Sequence, residues 1–201
     1  MSTLDNFFAG EIYVLDTETT GLKGHPQDVI VDIAVCRVDL DKGTVDPVYS
    51  SVVGYDTSEW NEYRRNAWIF ENTDMTLDMV DAAPPVQEVV ADIRKLLRGK
   101  KVTSYNTEYD MGKFLYHEPW KMKDLFIECT DIMKAATPIC KVPSQYYGRQ
   151  YQYPKLDLAY EKIVEGDPAG IKGVQEHRAM SDAKVASHIL VQLFRDRAYS
   201  P

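Results

Sequence analysis

Three observations predict an α/β domain built on a mixed sheet covered by helices. Three strand-like stretches follow one another closely near the N-terminus. Helical and strand-like stretches alternate after them. The 201 residues, 44% hydrophobic and 27% charged, suffice for one proper core. Residues 1–201 therefore read as a single domain, since a second would leave both halves small, with residues 1–10 as an N-terminal tail.

Glu11–Leu15 is a short apolar run that reads as a strand. "DVIVDIAVCRVDL", Asp28 to Leu40, is rich in β-branched residues and nearly continuous in apolar character, as a central strand should be. Asp41, Lys42 and Gly43 supply turn chemistry, and "TVDPVYSSVV" is the return strand, which Pro47 places at an edge or a bulge. Short links make these three an antiparallel meander. Asp74–Val80 fits a short helix. "PPVQEVVADIRKLLRG" is a stronger one, with prolines at its entrance, an apolar stripe from Val86 to Leu97 and Gly99 past its end. "KVTSYN" reads as a strand feeding a helix over about Thr107–His117, capped by Asn106 or Thr107. "LFIECT" is another strand, with Asp131 capping a short helix beyond it. Leu156–Val164 and Ala179–Ala198 close the chain as helices.

A net charge of −8 gives no support to a protein that coats nucleic acid non-specifically. It leaves room for an enzyme that holds a nucleic-acid end through metal ions, which reverse the local field. Cys36, Cys129 and Cys140 are widely spaced and lack a C-x-x-C pattern, so neither a disulfide framework nor a zinc knuckle is expected, and a reducing cytoplasm is the expected setting. "MSTLDNFFAG" has no basic region and no long apolar run, so no signal peptide or membrane span is expected.

"YVLDTETTGL" carries the chemistry. Asp16 and Glu18 sit on alternate positions at the end of an apolar strand, on one face if the chain stays extended. Two like charges there repel, and burying either costs several kcal/mol. Asp110 lies in the first turn of a helix that follows a strand, and Asp182 near the start of the last helix, beside the small residues Ala179, Ala183 and Ala186. His177, five positions before Asp182, would stand about 140° from it on a continuous helix. To share a site it must lie in the loop before the helix, and "GDPAGIKGVQE" reads as such a loop. Four carboxylates without cysteine or paired histidine favour Mg²⁺ or Mn²⁺ over zinc. Two such ions roughly 3.5–4 Å apart suit in-line attack on phosphodiesters, and an imidazole with a free pKa near 6.5 can take the proton of the attacking water. Cations between them would make Asp16 and Glu18 tolerable together.

"DTETTGL", "YNTEYD" and "HRAMSD" resemble the three motifs of the DEDDh exonucleases, the family of the epsilon subunit of bacterial DNA polymerase III, ribonuclease T and oligoribonuclease. The likeness runs from about Tyr13 to Phe194, and "TDMTLDMVDAAPPVQEVVADI" resembles the segment between the family's first two motifs. The DEDDy subclass has tyrosine where this chain has Arg178. The resemblance implies a ribonuclease-H-like fold with a five-stranded sheet and two divalent cations, Mg²⁺ or Mn²⁺. Asp16 would bridge the two ions, Glu18 and Asp182 would complete one site and Asp110 would hold the other. His177 would be the general base. Thr17, Thr20, Gly21 and Leu22 would touch the terminal nucleotide, Met75 would pack on its base, and Asn106 of the second motif joins these substrate contacts. Tyr105 replaces a histidine common in the family and Tyr109 a phenylalanine; both leave the acids and the histidine intact and bear on substrate choice.

Taken singly, each acid is explained by a cap or a solvated turn, and His177 by an ordinary surface histidine. The ordered set reverses those odds. In the Tyr-rich loop, 138–155, "PSQYYGRQYQYPK" gathers four tyrosines around Arg149. Tyr147 and Tyr151 fit stacking platforms for single-stranded nucleic acid as well as they fit a loop that covers the core. The expected activity is 3′–5′ exonucleolytic release of nucleoside 5′-monophosphates from a single-stranded or frayed 3′ end, DNA before RNA. An exoribonuclease or oligoribonuclease, and a non-catalytic module that binds 3′ ends or a polymerase, are the alternatives. The expected partners are a nucleic-acid 3′ end and a polymerase or other replication or repair protein; homodimerisation stays open, and no membrane is involved.

Overall fold

The structure, a computed structural model, describes residues 10–145, 147–148, 150–170 and 177–201. Of the N-terminal tail only Gly10 falls within them. Five strands lie in the order β3-β2-β1-β4-β5: β1 (Glu11–Thr19), β2 (Ile30–Asp39), β3 (Thr44–Val52), β4 (Lys101–Ser104) and β5 (Ile127–Glu128). The first three form the antiparallel meander, whereas β4 pairs with β1, and β5 with β4, in parallel. Pro47 stands on the edge strand and also beside a bulge: Val35 faces Tyr49 and Cys36 faces Pro47, so Val48 has no partner.

Helices α1 (Glu62–Arg65), α2 (Trp68–Asn72), α3 (Leu77–Ala82) and α4 (Val86–Leu97) lie between β3 and β4. Between β4 and β5 the helix expected over Thr107–His117 is a π-helical segment, Glu108–Leu115, whose wide turn ends with Tyr116 N donating to Met111 O at 3.0 Å. Helices α5 (Ile132–Cys140), α6 (Leu156–Ile163) and α7 (Ala179–Arg195) follow. Asp131 caps α5, its side chain accepting from Lys134 N. Among the described residues no helix is long and apolar enough to cross a membrane.

The period of two in the strands sorts the core into layers. Ile12 and Val14 of β1 and Val38 of β2 pack under α5, α6 and α7, while Tyr13, Leu15, Ile33 and Val35 point the other way onto α4 and the π-helical segment. Each fully buried Leu or Ile here contributes about 1.5–3 kcal/mol. One contact in this arrangement positions the site. At its start α7 meets the sheet through small side chains, Ala179 and Ala183 on Ala34 and Cys36, so the helix N-terminus approaches β1 closely.

Candidate active site

β1 stays extended beyond its apolar run, with Asp16 opposite Ala34 and Glu18 opposite Asp32 in the β2 register. Asp16 and Glu18 therefore continue the row of Ile12 and Val14, on the face that α7 covers. Where the apolar contacts end, the first turn of α7 brings Asp182 over the same row. One carboxylate oxygen each from Asp16, Glu18 and Asp182 lie within 4.8 Å of one another, and all three side chains are partly exposed. The positive end of α7 favours an anion at Asp182.

Asp110 is reached from the opposite face. Thr17, pointing away from its neighbours Asp16 and Glu18, donates Oγ1–H to Asp110 Oδ1 at 2.7 Å across the end of β4. Asp110 is buried at 3% exposure. Burial lifts its pKa from 3.8 to about 6, against the lowering effect of the Thr17 hydrogen bond. Glu18 rises from 4.5 to about 8, through desolvation first and then through the charges of Asp182, Asp32 and Asp110. Asp16 is held well above the usual carboxylate range by the same causes, with Asp110 the strongest of its charged neighbours. Asp32 adds a fifth carboxylate: it is buried, and its Oδ1 has no hydrogen-bond partner among the described residues. An all-oxygen cluster whose members repel one another in a desolvated place fits hard divalent cations, and sulfur-seeking metals poorly.

His177 stands just before α7, outside the helix, with a left-handed φ of 47°. Of the segment Gly166–Glu176 that precedes it, residues 171–176 lie outside the described residues. Its imidazole meets Trp68 of α2 edge-on, ring centroids 5.1 Å apart and planes at 87°. The next residue is anchored twice: Arg178 donates Nε–H to Asp32 Oδ2 at 2.8 Å and approaches Asp74 at 3.4 Å. The guanidinium thereby ties the His177 loop to the row of acids on the sheet.

The turn after β1 is over-determined. Asp28 accepts from Lys23 N at 2.7 Å and Gly24 N at 3.1 Å, and Lys113 Nζ donates to Leu22 O at 2.7 Å. Tyr109 Oη lies 3.0 Å from Gly21 O and 2.5 Å from Thr19 Oγ1. A Cβ on Gly21 would stand 2.6 Å from both Asp28 Oδ1 and Tyr63 Oη, so a side chain there would have to displace them. Thr20 is buried and Leu22 is 75% exposed, open to a ligand. Asn106 accepts from Tyr109 N through its side chain at 3.3 Å, as a cap should.

Met75 does not match its expected role. It is completely buried with Val31, Ala67, Ile69 and Val80, and offers no surface for a base. Position within a resembling segment could not reveal that the side chain turns inward. Tyr105 is a core residue whose hydroxyl donates to Pro154 O at 2.9 Å. In the Tyr-rich loop Tyr147 is fully exposed and Tyr151 bridges back to Pro143; Tyr146 and Arg149 lie outside the described residues. Sequence reasoning overlooked Asp32, though a lone acid inside a β-branched run is a visible signal, and Trp68, whose five-residue helix has too short a period to read.

A mixed five-stranded sheet with an acidic cluster at the end of its central strand, and an imidazole before the last helix, defines the class of ribonuclease-H-like 3′–5′ nucleases with a DEDDh residue set. The chain belongs to the exonuclease family, whose model matches residues 13–190. That family is divalent-metal dependent, in keeping with the acidic cluster. Among curated proteins the chain is 28% identical over 195 residues to the PolC-type DNA polymerase III of Bacillus subtilis. It is 24% identical over 182 residues to the 3′-5′ exonuclease DinG of the same organism. These alignments cover 94% and 90% of the chain, which spans only 12% and 17% of the two relatives. The nuclease domain of 3′hExo, a DEDDh family member bound to rAMP, shares the fold with a TM-score of 0.63 at 19% identity, over 94% of this chain and 93% of that one. Escherichia coli exonuclease I bound to a 5cy-dT13 oligonucleotide gives 0.64 at 16% identity, over 94% of this chain and 42% of that one.

Proposed function

We propose that this protein is a 3′–5′ exonuclease that hydrolyses the last phosphodiester of a single-stranded or frayed 3′ end, DNA in preference to RNA. The observation that carries the reading is the meeting of Asp16, Glu18 and Asp182 within 4.8 Å, with Asp110 hydrogen-bonded to Thr17 beside them. Asp16, Glu18 and Asp182 would hold one divalent cation, and Asp16 with Asp110 a second, Mg²⁺ or Mn²⁺ in both places. Such ions supply Lewis acidity to the attacking water and neutralise charge at the scissile phosphate.

The chain's own residues do the rest. His177, on its loop, accepts a proton from the water as the new P–O bond forms. The P–O3′ bond breaks, and the oxygen leaves on the shortened strand, freeing a nucleoside 5′-monophosphate. The rigid turn Thr20–Leu22 seats the terminal nucleotide, with Leu22 against its base. Thr17 fixes the carboxylate of Asp110, and Arg178 fixes the loop that carries His177.

The likeness to PolC-type polymerase and to exonuclease I supports DNA as substrate and a replication or repair setting beside a polymerase. One observation favours RNA instead: the 3′hExo neighbour binds rAMP. A degradation time course on single-stranded DNA, duplex DNA with a 3′ mismatch, RNA and a dinucleotide separates these. Loss of activity in EDTA, restored by Mg²⁺ or Mn²⁺, is the expected companion result; turnover that persists in EDTA would overturn the reading.

A further inference from the structure

The segment that joins β3 to α3 reaches both margins of the acidic cluster. Tyr63 of α1 lies against Gly21, in the turn that follows Glu18, and Lys23 Nζ sits 4.6 Å from its ring centroid. Trp68 of α2 lies against His177, which precedes Asp182. Both aromatics are exposed, Tyr63 by 44% and Trp68 by 56%. A single exposed aromatic needs no explanation. Here two stand on one short segment, and the larger touches His177, the proposed general base.

We propose that Trp68 is a stacking platform for one unpaired base of the substrate strand near its 3′ end. This rests on the exonuclease reading and adds its selectivity. Aromatic faces with nearby cations hold single-stranded nucleic acid without reading its sequence, and Tyr63 with Lys23 is such a pair beside Gly21. A base held in a duplex is already stacked and paired, so a platform beside the catalytic histidine favours frayed or single-stranded ends. The perpendicular contact with His177 leaves the indole more than half exposed for that use.

Steady-state turnover of 5′-fluorescein-labelled dT12 tests this, beside three versions that lack the base at the first, second or third nucleotide from the 3′ end. In the wild type, one of the abasic positions raises KM by about tenfold, the scale of one lost stack. Trp68→Ala raises KM for intact dT12 by a similar factor, and the abasic change at that position then adds nothing. Trp68→Phe keeps most of the wild-type behaviour. An abasic penalty in Trp68→Ala equal to that of the wild type overturns the proposal. So does a fall in kcat alone, on intact and abasic strands alike, which would make Trp68 only a support for His177. Absence of any turnover by the wild type would withdraw the exonuclease reading itself, a different result from an unchanged abasic penalty.

Discussion

Asp28 and Asp131 are buried, at 1% and 5% exposure, as Asp32 and Asp110 of the candidate site are, yet they live in the opposite environment. Asp28 collects the N–H groups of Lys23 and Gly24. Asp131 collects those of Thr107, at 3.0 Å, and Lys134, at 2.8 Å. Each is a carboxylate surrounded by donors, and each closes a turn or caps a helix. Asp16 and Glu18 are surrounded by Asp110, Asp182 and Asp32. The first kind of acid stabilises the fold by satisfying orphan backbone groups. The second kind opposes it, and makes physical sense only if cations complete it.

Asp16→Asn probes this contrast with the largest expected effect. Turnover should fall below detection, because the residue central to the cluster loses its charge, while the melting temperature in EDTA should rise as repulsion is relieved. A variant less stable than the parent in EDTA would place Asp16 with Asp28 and Asp131 as a structural acid. His177→Ala should lower kcat by about 10²–10⁴ and leave Mn²⁺ binding, read by calorimetry, close to that of the parent. A wild-type rate would remove the imidazole from the mechanism.

The sequence was most legible where periodicity and burial agree. The row Ile12, Val14, Asp16, Glu18 shows its shared face in the letters alone, and the structure keeps β1 extended to Thr19. Residues 28–40 and 86–97 carry apolar patterns long enough to name their element. Helices α1 and α2, four and five residues long, do not. Nor does any local pattern distinguish a π-turn from an α-turn over Glu108–Leu115. Among the candidate site residues, the acids and His177 stand out in the sequence because they fall into an ordered set. The Arg178–Asp32 bond spans 146 positions and exists only once α7 lies on the sheet. Met75 differs for the reverse reason: its place in the resembling segment suggested a contact, but packing turns it into the core.

Stability against pH sharpens the contrast further. Glu18 and Asp110 have folded-state pKa values of about 8 and 6, above their ordinary 4.5 and 3.8. A raised value means that the folded state binds the proton more tightly than the unfolded chain does. The contribution is fully present below about pH 4 and is lost as the pH climbs through the folded values. In EDTA the melting temperature should therefore fall between pH 5 and pH 8. Saturating Mg²⁺ or Mn²⁺ should restore it, by an increment that grows with pH, since the ions replace the protons. A metal increment that is flat across this range would show that the cations bind elsewhere.

The smallest effect on activity is expected from the other side of the comparison. Asp131→Ala removes the cap of α5 and leaves Thr107 N without its acceptor, so it should cost about 1–2 kcal/mol of stability, the usual range for a lost N-cap. Asp131→Asn should recover much of that, because an amide oxygen can accept the same N–H bonds. Neither change alters the charge around Asp16, so turnover per folded molecule should stay within a few-fold of the parent at a temperature where both are folded. Denaturant melts beside initial rates give the two numbers from one preparation. Asp16→Asn and Asp131→Ala should then move in opposite directions in stability, and only Asp16→Asn should lose activity. A loss of activity in Asp131→Ala larger than its loss of folded protein would mean that the π-helical segment transmits strain to Asp110, and that the two kinds of acid are mechanically joined through Thr107.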